Sequence, residues 1–166
     1  MLLQVKNLSI QFNQQTIVEN LHFNIAAGER VALVGESGSG KSVTARAILR
    51  LNQQAVYAPN SQILFTPPQG NKPAIDLLRS TEQTLRGIRG AQIGMIFQEP
   101  LSALNPLLSI GTQLCEPLRL HLGLSAKQAY TRAIELLGEM QIPEPQARMA
   151  HFPHQLSGGQ RQRAMI

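Results

Sequence analysis

The sequence predicts an α/β fold with a strand-rich N-terminal part and a helical C-terminal part, on three observations. Period-two apolar patches run through residues 1–34, clearest at Leu21, Phe23 and Ile25. A glycine-rich turn joins the apolar run "VALV" (31–34) to a segment with helical spacing (42–51). Two longer helical patterns follow near 109–122 and 126–141. With 166 residues, 43% of them hydrophobic and 15% charged, the chain can form one packed domain.

Each further element has its own local signal. The run 31–34 is typical of a buried parallel strand. The segments "ILF" (63–65) and "AQIGMIF" (91–97) predict two further strands. Ser80 with Gln83 predicts a capping box opening a helix that ends near residue 88, and Ser125 with Gln128 predicts another. The second long helix carries an apolar stripe that we expect to face a core, formed by Ala126, Ala129, Tyr130, Ala133, Leu137 and Met140.

Composition narrows the function classes. The net charge is +5, but the basic residues are scattered and no basic–aromatic stripe occurs, so we expect no nucleic-acid partner. Cys115 is the single cysteine, which rules out an intrachain disulfide and predicts a buried thiol in a reducing compartment. The N-terminus lacks a signal-peptide core, and no apolar run approaches the ~18 residues of a membrane span. We therefore expect a cytosolic protein.

Residues 35–42, "GESGSGKS", match the phosphate-loop pattern G-x-x-x-x-G-K-[ST] between a predicted strand and a predicted helix. Small residues at Gly35, Gly38 and Gly40 let backbone N–H groups converge on phosphate oxygens, and the helix start favours an anion. Lys41 is predicted to bridge the outer phosphates, and the Ser42 hydroxyl to ligate Mg²⁺. The pattern predicts a nucleoside triphosphate, without separating kinase, GTPase and transport ATPase.

A second glycine-rich helix start lies near the end of the chain, at "LSGGQ" (156–160). Ser157 can cap this helix, and Gly158 and Gly159 leave the N–H groups of its first turn open to a ligand. The alternative is a glycine-softened helix cap that binds nothing. The sequence alone does not say whether the two helix starts face each other.

Together the two motifs resemble those of the ATP-binding cassette (ABC) ATPases. "LSGGQ" matches that family's signature motif, and Gln98 follows "AQIGMIF" as the family's Q-loop glutamine follows its strand. Phe12 lies 23 residues before Gly35, where the family places an aromatic that stacks on adenine. The segments "FQEPLSALNP" (97–106) and "FPHQLSGGQRQR" (152–163) are similar to the branch serving peptide importers, including the microcin C and oligopeptide systems.

The resemblance implies one incomplete domain over residues 1–166, with a P-loop NTPase core. Residues 1–30 and 55–75 would form an antiparallel β subdomain, and residues 31–52 and 91–98 the phosphate-loop core. Residues 99–166 would form a helical subdomain that contains the signature motif. The C-terminal part of the core would be missing.

The resemblance also implies the binding residues. ATP would contact Phe12, Gly35, Glu36, Ser37, Gly38, Ser39, Gly40, Lys41, Ser42, Val43 and Gln98. Mg²⁺ would be held by Ser42 and Gln98. In a head-to-tail dimer, the opposite domain would close over the γ-phosphate with Leu156, Ser157, Gly158, Gly159 and Gln160. Phe12 as a core aromatic and Gln98 as a surface amide remain the alternatives.

Partners follow from the same resemblance. Gln98 would relay the state of the site to a membrane permease, which would dock on residues 106–155. An extracytoplasmic substrate-binding protein would complete the system. The ATPase would lie in the cytoplasm, peripheral on the inner face of the membrane.

The family's catalytic residues have no counterpart in these residues. The family continues beyond the signature helix into a buried strand that ends in Asp-Glu, followed later by a His. Asp76 and Glu135 lack that context, and every His precedes the end of the signature, including the His151–His154 pair, which we expect to pack rather than bind metal. We therefore expect a chain cut short inside a helix, which binds ATP weakly and does not hydrolyse it at a useful rate.

The sequence leaves four hypotheses for the function. The first is the ATP-driven subunit of a peptide-type importer, and the second is an inert truncated product. The third is an ABC module of a DNA-maintenance or translation factor, against which the compact spacing of residues 43–155 argues. The fourth is a phosphate-loop kinase, against which "LSGGQ" argues. A GTPase would need a guanine-reading N-K-x-D motif, and the single Asp of the chain, Asp76, is not in one.

Overall fold

The computed structural model describes residues 1–68, 73–98 and 103–166. The chain divides into two compact units, Met1–Ile93 and Gly94–Ile166. The finer division into β, core and helical subdomains stays a prediction.

An antiparallel sheet forms the first unit. Its strands are β1 (Leu3–Phe12), β2 (Gln15–Ile25), β3 (Val56–Tyr57), β4 (Gln62–Phe65) and β5 (Ile75–Asp76). The long strand β1 pairs with β2 on one side and with β3 and β4 on the other, and β5 extends the sheet beyond β4. The predicted N-terminal antiparallel part and the short strand at 63–65 are confirmed.

A bulge in β1 explains why its apolar pattern changes phase. The buried side chains shift from odd to even positions along the strand: Leu3, Val5, Leu8 and Ile10. The shift occurs at Asn7, whose φ of 49° is left-handed, and the pairing with β2 is irregular there. The buried Ser61 hydroxyl accepts from the Ser9 amide at 3.0 Å and donates to the Asn7 carbonyl at 2.9 Å. The side chain of Ser61, next to β4, thus hydrogen-bonds to the backbone on both sides of the bulge.

Two short helices belong to this unit, α1 (Lys41–Ile48) and α2 (Glu82–Arg86). The α2 cap differs from the predicted Ser80–Gln83 box, because the Thr81 hydroxyl accepts from the Thr84 amide at 3.2 Å. The Ser80 hydroxyl instead donates to the Asp76 carbonyl at 2.7 Å, so the preceding turn engages it and the helix starts one residue later. The core of the unit joins sheet and helices through side chains that include Ile63, Ala47, Leu77, Leu85 and Ile88.

Two strand predictions are wrong in this structure. Residues 31–34 form no strand, and Val34 is 89% exposed. Residues 91–97 form only one parallel bridge, Arg89 to Ile93, and Ile96 is 60% exposed. A parallel strand needs neighbours on its hydrogen-bonding edges and cover on its faces. The described residues supply no paired strand beside either run.

The second unit is helical. It contains α3 (Ile110–Leu122), α4 (Ala126–Glu139), α5 (Pro145–Arg148), a 3₁₀ turn (Pro153–Gln155) and α6 (Gly158–Met165). The two long helices confirm the predicted ones. No helix in the described ranges is long and apolar enough to cross a membrane.

Capping and packing set these helices. The Ser125–Gln128 capping box of α4 is present as predicted. Of the apolar stripe predicted on α4, Ala129, Ala133 and Leu137 are buried. Ala126 and Tyr130 are exposed, so the prediction that these two residues face the core is wrong. The core of this unit is built from Ile110, Ala133, Leu137, Ile142, Met149, Leu156 and Ala164.

Leu137→Ala tests this core, with Leu122→Ala as its matched control. Leu137 is 1% exposed and Leu122 is 65% exposed. We expect Leu137→Ala to lower the free energy of unfolding by about 2–5 kcal/mol, because it leaves a cavity. Leu122→Ala should change it by less than about 0.5 kcal/mol. Urea unfolding followed by circular dichroism measures both, and equal effects would contradict the assigned packing.

Candidate functional site

The phosphate loop of the first unit is built on left-handed glycines. Gly38 and Gly40 have φ of 85° and 84°, and Gly40 is the N-cap of α1. A Cβ on Gly40 would lie 2.8 Å from Val18 Cγ2 and 3.0 Å from the Ile17 carbonyl oxygen of β2. The start of α1 therefore packs on the sheet with no room for a methyl group. Glycine is required at this position both by its left-handed φ and by the lack of space for a Cβ atom.

Lys41 ties the two ends of this loop together. Its ammonium donates to the Gly35 carbonyl at 2.7 Å, to the Glu36 carbonyl at 2.5 Å and to the Ser39 hydroxyl at 3.3 Å. An ammonium has three protons, and two of them hold the backbone here. The third contacts only a serine hydroxyl, which a phosphate oxygen can replace.

The surroundings of the α1 start fit an anion. No described side chain caps the helix, and its first turn contains no acidic residue. Ser42 is exposed in that turn, so its hydroxyl is free to act as an oxygen ligand of the kind that Mg²⁺ prefers. Glu36 and Ser37 are exposed on the loop, and Val43 is half-buried against the core of the unit.

Phe12 lies at the turn of the hairpin that touches the phosphate loop. It pairs with Gln15 at the end of β1, and the same hairpin reaches Gly40 through Val18. Its ring is half-buried and packs against the core of the unit. This position leaves part of the ring exposed to a ligand, so stacking on adenine stays a prediction.

Gln98 is exposed, in the second unit. The predicted strand before it is absent, so its assignment as the Q-loop glutamine stays a prediction. Of the segment "FQEPLSALNP", residues 99–102 lie outside the described residues.

The signature segment has the predicted cap. The Ser157 hydroxyl accepts from the Gln160 amide at 3.3 Å, and the Gln160 side-chain oxygen accepts from the Ser157 amide at 3.0 Å. This capping box starts α6 with Gly158 and Gly159 in its first turn. A Cβ at either glycine would meet nothing within 4 Å, so this turn is open, whereas the preceding Leu156 is buried in the core of the unit.

An ion-pair network lies at the C-terminal end of α1, and no sequence pattern predicted it. Arg89 donates to the Leu49 carbonyl at 2.9 Å, and Arg50 donates to the Ser80 carbonyl at 2.7 Å. Both guanidinium groups also bind the Glu82 carboxylate. The hydrogen bond from Arg89, with the charges of the nearby arginines, holds the pKa of Glu82 below its usual value. These partners are far apart in sequence, and no local pattern indicates them.

The second unit contains an open cleft of about 830 Å³ beside α3 and α4. Its walls include Leu108, Gly111, Cys115, Arg119, Tyr130 and Met149. The thiol of Cys115 is half-buried in this wall, which corrects the prediction of a buried thiol. Burial raises its pKa, and the charge of Arg119 partly offsets that effect. The stripe residues Ala126 and Tyr130 face this cleft rather than the core.

The two histidines before the signature have protein neighbours. The His154 ring stacks on Phe152 with centroids 5.8 Å apart, and His151 Nδ1 lies 3.4 Å from an Arg148 guanidinium nitrogen. Within the described ranges, no group of three or more His, Cys, Asp or Glu residues could hold a metal ion.

Comparison with known proteins decides the family. Residues 18–166 match the sequence profile of the family described as ABC transporter. The chain belongs to the ABC transporter family. That match includes both the phosphate loop and the signature segment of this cassette.

Two relatives and one solved structure show the similarity. The glutathione import ATP-binding protein GsiA of Escherichia coli O1:K1 / APEC is 43% identical over 168 residues, covering 99% of this chain and 27% of its own. A putative peptide import ATP-binding protein of Brucella abortus (strain 2308) is 45% identical over 169 residues, covering 99% of this chain and 49% of its own. The cassette therefore spans about a quarter to a half of these relatives.

The solved structure is the dimeric ATP-binding cassette MJ0796 in a post-hydrolysis state bound to ADP and Pi. It superposes with a TM-score of 0.79 at 28% identity, covering 98% of this chain and 66% of its own. The fold is thus a partial ABC ATPase nucleotide-binding domain, with an antiparallel β part and a helical part.

Gly40→Ala and Gly38→Ala form a matched pair at the phosphate loop. Both glycines are left-handed, but only the Gly40 position is crowded by β2. We expect Gly38→Ala to cost about 1–2 kcal/mol from backbone strain alone. Gly40→Ala should cost more, because a methyl group also displaces Val18 or the Ile17 carbonyl. Urea unfolding measures the difference, and a larger loss for Gly38→Ala would refute the assigned contact.

The thiol of Cys115 offers a chemical test of the cleft wall. Because its pKa is raised, less thiolate is present at pH 8, and iodoacetamide should react more slowly with the folded chain than with the urea-unfolded chain. The difference should shrink as the pH rises above the raised pKa. Mass spectrometry of the single labelled site follows the rate. Equal rates for folded and unfolded chain at pH 8 would show that the thiol is not shielded.

Proposed function

We propose that this chain is the ATP-binding part of an ABC importer ATPase for peptide-type cargo. The observation that supports it most is the preformed loop of residues 35–42, whose Lys41 already holds the Gly35 and Glu36 carbonyls. The names of the two relatives, which concern glutathione and peptide import, support the cargo class.

The loop would bind the triphosphate through groups that are in place before the ligand arrives. The amides of the first turn of α1 and the helix dipole attract the phosphates. Lys41 exchanges its contact with Ser39 for a phosphate oxygen while keeping both backbone carbonyls. The loop therefore changes shape little on binding, which reduces the ordering cost.

Three further groups would orient the ligand. Ser42, exposed in the first turn of α1, offers its hydroxyl to Mg²⁺, and Gln98 would add an amide oxygen. Bound Mg²⁺ neutralises phosphate charge. Phe12 would place the exposed part of its ring against adenine, at the tip of the hairpin that packs on Gly40.

The signature segment would close over the ATP of a second domain in a head-to-tail dimer. Because the Ser157 oxygen accepts from the Gln160 amide, the hydroxyl keeps its own proton to donate to a phosphate oxygen. Gly158 and Gly159 add amides with no side chain in the way. The dimeric state of MJ0796 with ADP and Pi supports this arrangement.

Coupling to transport would use the helical unit. Residues 106–155 would dock a membrane permease, and the cleft beside α3 offers it a partly apolar wall. An extracytoplasmic substrate-binding protein would deliver the cargo, and the ATPase would sit peripherally on the cytoplasmic face of the membrane. The import function named for both relatives supports these partners.

Lys41→Ala tests the nucleotide site, with Lys6→Ala as the control. Lys6 is exposed on β1 of the same unit, so both variants lose one charge there. We expect Lys41→Ala to weaken binding of a fluorescent ATP analogue by at least about tenfold, roughly 1.4 kcal/mol. Lys6→Ala should bind as the parent does. Titration by fluorescence anisotropy with Mg²⁺ present measures both.

Two results would count against the proposal. One is parent-like affinity of Lys41→Ala, which would place the nucleotide elsewhere. The other is an equal loss in both variants, which would indicate non-specific attraction of the anion to a basic chain.

A further inference from the structure

The carbonyls of Met140 and Gln141 lie just beyond the last residue of α4, Glu139. Gln141 is left-handed, with φ of 55°, and the Ile142 amide donates back to the Leu137 carbonyl at 3.0 Å. The Gln141 amide donates to the Gly138 carbonyl at 2.8 Å. These two bonds form a Schellman ending, and neither of them uses the carbonyls of Met140 and Gln141.

This helix end also lacks a cation of its own. The last turn of α4 contains no basic residue, although the negative end of a helix dipole favours one. The basic side chain that pairs with Glu135 and Glu139 near this end is Arg132, which lies one to two turns earlier in the helix. A cation must therefore come from outside the helix.

Arg163 of α6 supplies it. Its Nη1 donates to the Gln141 carbonyl at 2.7 Å and to the Met140 carbonyl at 3.3 Å. Its Nε donates to the Gly159 carbonyl at 3.3 Å, one turn back in α6. One rigid guanidinium thus joins the end of α4 to a residue of the signature segment.

We propose that Arg163 is a positioning residue for the signature segment, an inference that rests on the proposed function of that segment. The Ser157–Gln160 box shapes the cap locally, and the buried Leu156 and Ala164 hold α6 against the core. Apolar contacts fix distance better than orientation. Arg163 adds the directional contact, so it sets the angle at which the amides of Gly158 and Gly159 point to a partner's nucleotide.

Three variants separate this role from general stability. Arg163→Met keeps an apolar stem and removes every donor. Arg163→Lys keeps the charge and can satisfy part of the carbonyl set. Arg132→Met removes an arginine from the same unit that contacts only exposed carboxylates, which makes it the matched control.

The first measurement is amide hydrogen exchange on this chain without nucleotide. In Arg163→Met, the amides of Gln160 and Arg161, which donate to the Ser157 hydroxyl and carbonyl, should exchange at least about fivefold faster, because the turn is released, while β1 and β2 keep parent rates. Arg132→Met should leave the exchange of these two amides unchanged. Unchanged exchange there in Arg163→Met would overturn the proposal, and this arm decides it even if Lys41→Ala contradicts the proposed function.

The second measurement is binding of the fluorescent ATP analogue, together with amide exchange in the conservative variant. Arg163→Met should bind the analogue within about twofold of the parent, because the phosphate loop is untouched. Arg163→Lys should recover part of the exchange protection of Gln160 and Arg161, because its ammonium can still donate to the Gln141 and Met140 carbonyls. An increase in exchange in Arg163→Lys equal to that in Arg163→Met would overturn the proposal, as would loss of analogue binding in Arg163→Met.

Discussion

The close approach of Gly40 to β2 is the contact on which the phosphate loop depends. It sets the first turn of α1 directly on Ile17 and Val18, at a distance that no side chain tolerates. Once the helix start is fixed to the sheet, Lys41 can reach back to Gly35 and close the loop. The geometry of this loop thus comes from the packing of its helix start on the sheet, and the Lys41 ammonium holds it closed.

The helical unit uses the same device at the start of α3. A Cβ on Gly111 would lie 2.8 Å from the Met149 carbonyl oxygen, and the Gly111 amide donates to that oxygen at 2.9 Å. The Ile110 amide donates to the His151 carbonyl at 2.8 Å. The segment leading to the signature is therefore held by backbone groups of α3, whose next turn lines the cleft with Cys115. The wall of the cleft and the signature segment thus both depend on the position of α3.

Sequence reasoning succeeded where the signal is local. The helix start after Gly40, the Ser125 and Ser157 caps and the β1–β2 alternation each depend on residues within a few positions of one another. It failed for residues 31–34 and 91–97, because an apolar run becomes a strand only beside a partner. It also missed Arg89 and Arg163, whose carbonyl acceptors in another element lie 22 to 40 residues away. Such contacts are properties of the folded chain.

The bulge at Asn7, held by the Ser61 hydroxyl, fixes the register of β1 in the sheet. Sliding β1 by one position would turn Leu8 and Ile10 toward water and leave the buried Ser61 hydroxyl without its partners. An unpaired buried hydroxyl costs about 1–3 kcal/mol, so the misaligned ribbon is penalised twice. The hairpin consequently holds Val18 against the start of α1 and keeps Phe12 beside the turn of the same hairpin.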